Sequence, residues 1–176
     1  WYSKLKGIRY ASLRYFNAAG YDSDFKKFQT ELDPQNLIPI VMEVALGIRN
    51  QLKVFGNDYS TPDGTGIRDY IHVTDLAVGH LSALDYILSE GKNLEINLGT
   101  GEGFSVLDII KETENISNKK INYIFSDRRT GDPDVVISSL KKAQRLIGWS
   151  PAKSDLDNII KSSWSAYNYN MKVNNL

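Results

Sequence analysis

Several residue types and patterns are absent from this sequence, and each absence narrows the fold or function. It has no cysteine, so it has neither a disulfide framework nor a thiolate metal site. Its 21 basic residues balance its 21 acidic residues, which argues against a nucleic-acid module or a polybasic membrane anchor. No apolar run is as long as a membrane span, and no signal peptide is recognisable. We therefore expect no nucleic-acid or membrane partner, and a cytoplasmic location, since a chain without cysteine fits a reducing compartment.

The 176 residues that are present suffice for one domain with a hydrophobic core. The chain opens at Trp1 rather than Met, so we expect a processed chain or part of a longer one. Hydrophobic periodicity predicts an α/β fold. The predicted strands are 9–16, 94–98 and 121–125, with a short strand pair inside 54–76, and the predicted helices are 37–49, 74–90, 105–116, 139–147 and 154–169.

Local signals refine these elements. Thr74 is the predicted N-cap of the helix ending near Glu90, and Asn36 is that of the helix starting at Leu37. Ser105 and Asp108 have the spacing of a capping box. We expect 17–20 to be a turn and 21–35 a loop. The inward face of the 74–90 helix is predicted to consist of Leu76, Leu81, Leu84, Ile87 and Leu88.

Arg68 is the most informative residue of the polar central stretch. It follows Gly64 and Gly66, where the backbone can bend sharply. An arginine beside such a bend suits a phosphate, because its guanidinium group offers parallel donors and stays charged. The alternative is a hairpin in which Arg68 pairs with Asp63 or Asp69 at the surface. The residues of this stretch alone leave both interpretations open.

Two further places could belong to a site. Tyr15, Phe16 and Asn17 end a predicted strand, and ligands of open parallel sheets gather at the carboxyl ends of strands; a core position or a turn is the alternative. Arg128 and Arg129 are adjacent in a loop and should point in different directions, so at most one would face a shared ligand; local pairing with Asp is the alternative.

Glycines and histidines are predicted to be structural. The glycine cluster 99–103 is not followed by Gly-Lys-Ser/Thr and lacks the dinucleotide fingerprint, so a tight strand-to-helix turn explains it better than a phosphate loop. The two histidines, His72 and His80, do not have metal-site spacing. We expect no metal.

Four ordered motifs closely resemble the UDP-glucose 4-epimerase family of extended short-chain dehydrogenases/reductases. They are Leu-Arg-Tyr-Phe-Asn at 13–17, the segment from Phe55 to Val73, Asn-Leu-Gly-Thr-Gly at 97–101 and Arg-Arg-Thr-Gly-Asp at 128–132. The resemblance runs from about Gly7 to Trp164. The family's early glycine-rich turn is absent, and no Tyr-x-x-x-Lys pair occurs in a suitable helix. The chain therefore resembles the C-terminal half of such an enzyme.

This resemblance implies a fold and an activity for the intact protein. It implies part of a Rossmann sheet in 1–35, a UDP-sugar-binding lobe in 36–176, and a return to the Rossmann sheet within 68–100. Family members use tightly bound NAD to oxidise the sugar C4 hydroxyl transiently, with the Tyr-x-x-x-Lys pair as acid/base. No catalytic residue is therefore expected in this chain, which we expect to be inactive alone. The implied partners are the UDP-sugar, the N-terminal half and a second copy in a homodimer.

The resemblance also implies roles for individual residues. Tyr15 and Phe16 match the nicotinamide end of the NAD site. The remaining matched positions concern the UDP-sugar: Asn17 and the two cations Arg68 and Arg129 at the diphosphate, Asn36 and Leu37 in the pocket wall, Lys53, Val54 and Phe55 around uracil, and Asp132 near the ribose. The family comparison thus selects Arg129 over Arg128.

Val136 departs from the common family pattern, which has Tyr at this position near the sugar C2 substituent; some members have a smaller residue there. We hypothesise that Val136 leaves room for N-acetylated UDP-sugars. The alternatives are therefore UDP-N-acetylglucosamine 4-epimerase, another UDP-sugar-modifying enzyme such as a decarboxylase or dehydratase, or a non-catalytic UDP-binding fragment. The run from Asp58 to Thr65 favours the epimerase branch.

Overall fold

A computed structural model describes residues 1–22 and 30–174 of the chain. The predicted loop 21–35 lies partly outside the described residues. In chain order the elements are α1 (Tyr2–Lys6), β1 (Ala11–Tyr15), β2 (Asn17–Ala19), α2 (Leu37–Ala45), β3 (Leu52–Phe55), β4 (Ile67–Arg68), β5 (Tyr70–His72), α3 (Val73–Glu90), β6 (Leu94–Leu98), β7 (Phe104–Ser105), α4 (Val106–Ser117), β8 (Tyr123–Ser126), β9 (Val135–Val136), α5 (Lys141–Ile147) and α6 (Leu156–Asn174).

The strands form small sheets that are mostly parallel. β1 pairs with β6, β2 with β5 and β3 with β8, each in parallel. The two-residue strand β4 lies between β7, which is antiparallel to it, and β9, which is parallel. The predicted α/β class is confirmed. No helix in 1–22 or 30–174 is long and apolar enough to cross a bilayer.

Two hydrophobic cores hold these elements together. One packs α2, α4 and α6 around β3 and includes the fully buried side chains of Met42, Ile109 and Ile159. The other packs α3 and α5 on the β1–β6 sheet around Ile96 and Leu98. Parallel strands covered on one or both faces by helices are typical of α/β proteins. The assignment of 1–35 and 36–176 to separate lobes stays a prediction.

Helix α3 differs from its predicted orientation. Leu76 is buried as expected, but the other buried positions are Asp75, Gly79 and Ala83. Leu81, Leu84 and Leu88 were predicted to face inward and are instead 64%, 51% and 73% exposed. The helix carries apolar residues on two faces, and periodicity alone could not tell which of them packs on the sheet. We call Leu81, Leu84 and Leu88 the α3 stripe.

The α3 N-terminus also differs from the prediction. The N-cap is His72, whose Nδ1 accepts a hydrogen bond from the Thr74 backbone N–H, so Thr74 is the second helical residue and not the cap. Imidazole has a lone pair that can replace the usual hydroxyl or carboxylate acceptor at this position. By contrast, the predicted capping box of Ser105 and Asp108 is confirmed. Asn36 is the N-cap of α2, although its side chain makes no capping hydrogen bond.

The strand predictions need several corrections. The strand predicted at 9–16 is shorter, and 17–19, predicted as a turn, forms β2 because its backbone pairs with β5. β7 and β9 were not predicted. Each has only two residues, too few for any periodicity to show. The predicted strand at 121–125 is observed as β8, which begins two residues later and ends one residue later, and its four residues are exposed.

We expect the cap at His72 to make the fold less stable in mild acid. Burial lowers the pKa of His72, which the Asp75 carboxylate only partly opposes, while Lys153 lowers it further and Asp22 and Asp155 raise it. The unfolded chain therefore binds the proton more readily than the folded chain. The contribution of neutral His72 to the free energy of unfolding is complete above the ordinary His pKa of 6.5 and is lost as the pH falls below it. Protonation also removes the acceptor that caps α3.

Thermal unfolding from pH 8 to pH 5 measures this effect. The wild-type midpoint should fall across this range by more than that of His72→Asn, which keeps a capping acceptor that does not titrate. Equal falls for the two proteins would show that another group controls the acid response.

Candidate functional site

One cleft of about 1000 Å³ is the place where most of the predicted site residues meet. It lies where the end of β1, the start of α2, β3, β4 and the loop before β9 approach one another. The predicted residues that line it are Phe16, Asn17, Asn36, Leu37, Lys53, Val54, Phe55, Arg68, Arg129 and Asp132. Tyr15 and Val136 are not among its lining residues. The fold thus brings predicted site residues from position 16 to position 132 of the sequence together on one concave surface.

Arg68 reaches the cleft from the two-residue strand β4. Its guanidinium group donates to the Ile67 carbonyl oxygen at 2.7 Å and forms an ion pair with Asp132. The alternative partners considered from the sequence are engaged elsewhere: Asp63 accepts from Thr65 and Ser105. The arginine side chain is 19% exposed, so its charge is partly shielded from water. A cation in this position would attract an anionic ligand that enters the cleft.

The two adjacent arginines point to different places, as expected. Arg129 lines the cleft, and its Cζ lies 4.1 Å above the centroid of the Phe55 ring. Arg128 lies outside the cleft: its Cζ is 4.0 Å above the Tyr59 ring, and its Nε donates to Asp58 Oδ1 at 2.6 Å. This hydrogen bond lowers the pKa of Asp58. Arg128 therefore belongs to an exposed ion-pair group outside the cleft.

Asp132 connects Arg68 to a buried tyrosine. Its Oδ1 accepts from Arg68, and its Oδ2 accepts from the Tyr59 hydroxyl at 3.3 Å. Burial, reinforced by the nearby Asp132 charge, raises the pKa of Tyr59, so the phenol remains a neutral donor. A diphosphate bound here would compete with Asp132 for Arg68.

The glycine-containing bends allow this approach of chain segments. Gly64 has φ +78°, and a Cβ there would lie 2.3 Å from the Asn57 carbonyl oxygen. A Cβ on Gly66 would lie 3.3 Å from Arg68 Nη1, so the missing side chain leaves space for the guanidinium group. The bend is therefore a requirement of the site geometry.

The second glycine cluster binds a carboxylate of the protein itself. The backbone N–H groups of Thr100 and Gly101 donate to Asp69 at 2.9 Å and 3.1 Å. A Cβ on Gly99 would lie 2.8 Å from Asp69 Oδ2. These donors are used internally, in agreement with a structural turn rather than a phosphate loop.

Two predicted residues lie apart from the cleft lining. The Tyr15 hydroxyl is 2.6 Å from His80 Nε2, so its side chain turns toward α3. Val136 belongs to β9 and is paired with Arg68 of β4, which places its backbone beside that of Arg68. The proposed effect of Val136 on N-acetylated sugars stays a prediction.

Some cleft residues were not predicted from the sequence. Tyr70 of β5 lines the cleft, as do Ser163 and Tyr167 of α6. Burial raises the pKa values of both tyrosines, so their phenols stay neutral. In the sequence, the apolar spacing of the last helix indicated only that Tyr167 is a core position. A buried aromatic residue that also borders a cleft has no additional signal in the sequence.

The one Tyr-x-x-x-Lys spacing in the sequence is Tyr2 to Lys6, which forms the five-residue helix α1. The side chain of Tyr2 is 65% exposed, and neither residue lines the cleft. This pair does not have the surroundings of an acid/base pair.

Comparison with known proteins identifies the family. Residues 1–162 match a family model described as GDP-mannose 4,6 dehydratase. The chain belongs to this family. The predicted resemblance to extended short-chain dehydrogenases/reductases is thereby confirmed.

Individual members of the family are similar over nearly the whole chain. The UDP-glucose 4-epimerase of Streptococcus mutans is 41% identical over 94% of this chain. The structure of UDP-glucose-4-epimerase from Stenotrophomonas maltophila, with bound NAD and formylated UDP-arabinopyranose, is 34% identical and has a TM-score of 0.90 over 97% of this chain. That from Brucella ovis, in complex with NAD, is 40% identical with a TM-score of 0.90 over 94%.

The relatives are longer than this chain. It covers 50% of the Streptococcus protein and 51% of each of the two solved chains. This chain therefore spans about half the length of the family members it matches.

Proposed function

We propose that the intact protein is a UDP-glucose 4-epimerase, which interconverts UDP-glucose and UDP-galactose. We propose further that this chain supplies the residues that bind UDP. The observation that supports this most strongly is the convergence of Arg68 and Arg129, 61 positions apart in the sequence, on one cleft that Phe55 also lines. Relatives of 41% and 34% identity are named for this activity. We place the protein in the cytoplasm, as its lack of cysteine allows.

The two cations would hold the diphosphate while the sugar turns. A diphosphate spreads its charge over several oxygens, and guanidinium groups match it with parallel, charge-assisted hydrogen bonds. Lys53, Val54 and Phe55 form the neighbouring strand β3, where a uracil ring would find apolar contact and backbone groups. Holding the remote nucleotide fixed allows either face of the sugar to meet the same reacting group.

NAD would touch this chain only at one end of the cleft. Bound NAD supplies hydride transfer at the sugar C4. Phe16 follows the carboxyl end of β1 and lines the cleft, so its position fits a contact with the cofactor. Tyr15 fits less well, since its hydroxyl is next to His80. The sequence contains no glycine fingerprint for the dinucleotide diphosphate, so the chain offers an edge of a cofactor site rather than a complete one.

The second partner of this chain would be the polypeptide that corresponds to the other half of its relatives. The described β1–β6 sheet has only two strands, so backbone groups along its edges have no strand partner in the described residues. Apolar side chains before and within β1 are exposed, among them Trp1, Tyr2 and Ile8. The α3 stripe adds a row of exposed leucines. We propose that a strand and a helix of that other half cover these surfaces.

Assays with UDP-galactose test the proposed activity. The full-length protein with NAD should convert UDP-galactose to UDP-glucose, while the 176-residue chain alone should not. Absence of turnover by a folded, NAD-loaded full-length protein would refute the epimerase assignment. Sustained turnover by the chain alone would refute its role as a binding half without acid/base residues.

A further inference from the structure

The buried carboxylate of Asp69 has no part in the proposed contacts with UDP, yet it is the most heavily hydrogen-bonded acid of the described residues near the cleft. Asp69 has an exposed fraction of 0%. Its carboxylate accepts from the Thr100 N–H at 2.9 Å, the Thr100 hydroxyl at 2.8 Å, the Gly101 N–H at 3.1 Å and the Ser138 N–H at 3.0 Å. These donors belong to two separate segments, which Asp69 joins to a third, its own.

The backbone of Asp69 extends this connection to two predicted site residues. Its carbonyl oxygen accepts from the Asn17 N–H at 2.9 Å, and its own N–H donates to the Val136 carbonyl oxygen at 3.1 Å. Asp69 is therefore fixed through its side chain and its backbone to the start of β2, to the turn after β6 and to the end of β9 with the residues that follow it. A residue with this many ties has little freedom to shift along or rotate about the strand axis.

The position of Asp69 next to Arg68 gives these ties a consequence. Successive side chains of an extended segment point to opposite sides, so holding Asp69 in the interior directs Arg68 into the cleft. The strand β4 consists of only Ile67 and Arg68, and its own ladder is too short to set this register firmly. Asp69 supplies the missing constraint from the interior.

We propose that Asp69 is a positioning residue for the diphosphate site: its carboxylate locks the register in which Arg68 faces the cleft. This inference rests on the proposed binding of UDP. It implies that loss of the Asp69 carboxylate harms recognition of the diphosphate more than recognition of the nucleoside, because the wall beside Phe55 is held by other contacts.

The test compares UDP with uridine, which lacks the diphosphate, as ligands of the full-length protein and its Asp69→Asn variant. Asparagine retains the shape but presents an amide to N–H donors. We expect UDP affinity to fall by about tenfold or more, as for other supporting residues of binding sites. Uridine affinity should change by less than about threefold, since the residues beside Phe55 are not tied to Asp69. Calorimetry measures UDP, and ligand-observed NMR measures uridine.

Asp75 provides a matched control. It is also a buried carboxylate, 4% exposed, and it accepts from the N–H groups of Ala152 and Lys153 at 3.0 Å and 2.8 Å. None of these three residues lines the cleft. Asp75→Asn should lower the unfolding temperature and leave the ratio of UDP to uridine affinity unchanged. The same selective loss in both variants would mean that general loosening, and not positioning, is responsible.

A milder variant covers the case in which Asp69→Asn does not fold. Thr100→Val removes the hydroxyl donor to Asp69, together with the contacts of this hydroxyl with the backbone of Glu102, and keeps the N–H donors to Asp69. It should shift the affinity ratio in the same direction by a smaller factor. An unchanged ratio, or equal losses for UDP and uridine, would overturn the positioning role while wild-type binding of UDP upholds the proposed function. Failure of the folded wild type to bind UDP would refute that function first, and with it this inference.

Discussion

Replacing Arg129 with alanine should weaken UDP binding by about ten- to a hundredfold, because charge-assisted hydrogen bonds are each worth roughly 1.5–3 kcal/mol. Arg68→Ala should have at least as large an effect. That change also leaves the Asp132 carboxylate without its cation, so a negative charge would face the diphosphate. Uridine affinity should change much less in both variants, since uridine has no phosphate. Titration calorimetry of the full-length protein with each ligand measures these effects.

Arg128 is the control that the chain itself offers. It is adjacent in sequence, identical in chemistry and also stacked on an aromatic ring, but it lies outside the cleft. Arg128→Ala should alter UDP affinity by less than about fivefold, in line with the small energy of exposed ion pairs. If Arg128→Ala weakened UDP binding as much as Arg129→Ala, long-range charge would explain the data better than direct contact with the diphosphate.

Replacing Leu84 with lysine should prevent this chain from assembling with the polypeptide that corresponds to the other half of its relatives. Burying a leucine contributes about 1.5–3 kcal/mol, and an unpaired ammonium group in its place adds a desolvation cost. We therefore expect at least about a hundredfold weaker association for Leu84→Lys, since 2.7 kcal/mol corresponds to this factor. The measurement is co-purification of this chain with a separately expressed first half of the Streptococcus relative.

Ser89→Lys serves as the matched control for the helix face. Ser89 is also an exposed residue of α3, but none of the residues three or four positions away from it, which are its neighbours on the helix surface, belongs to the stripe. This variant should co-purify as the wild type does. Loss of assembly in both variants, or in neither, would contradict the role of the α3 stripe. A stripe that mediates pairing of two copies of this chain instead would appear as a dimer that Leu84→Lys converts to a monomer.

The sequence could identify the cleft because its residues have chemistry that depends little on context. Arg68 follows glycines that a tight bend requires, and Phe16 and Asn17 follow a strand whose end borders a site in many α/β proteins. The choice of Arg129 over Arg128 came from the family resemblance, and no property of an adjacent pair could have supplied it. The structure places Arg129 in the cleft, but its contact with a ligand stays a prediction.

Other features depended on tertiary packing and could not be predicted. The face of α3 that packs on the sheet is an example. The apolar residues of α3 occupy two faces of the helix, and the buried face is the one that contains Gly79 and Ala83. The capping role of His72 and the carboxylate–turn contact of Asp69 depend on segments that are distant in sequence. Two-residue strands such as β7 and β9 exist only because a neighbouring strand pairs with them.

The most direct test of the two-arginine site is a crystal structure of the full-length protein with UDP. The diphosphate oxygens should lie within hydrogen-bonding distance of both the Arg68 and Arg129 guanidinium groups, with the uracil ring against Phe55 and Arg128 still stacked on Tyr59. UDP bound elsewhere, or in this cleft with its diphosphate in contact with neither arginine, would contradict the proposed site.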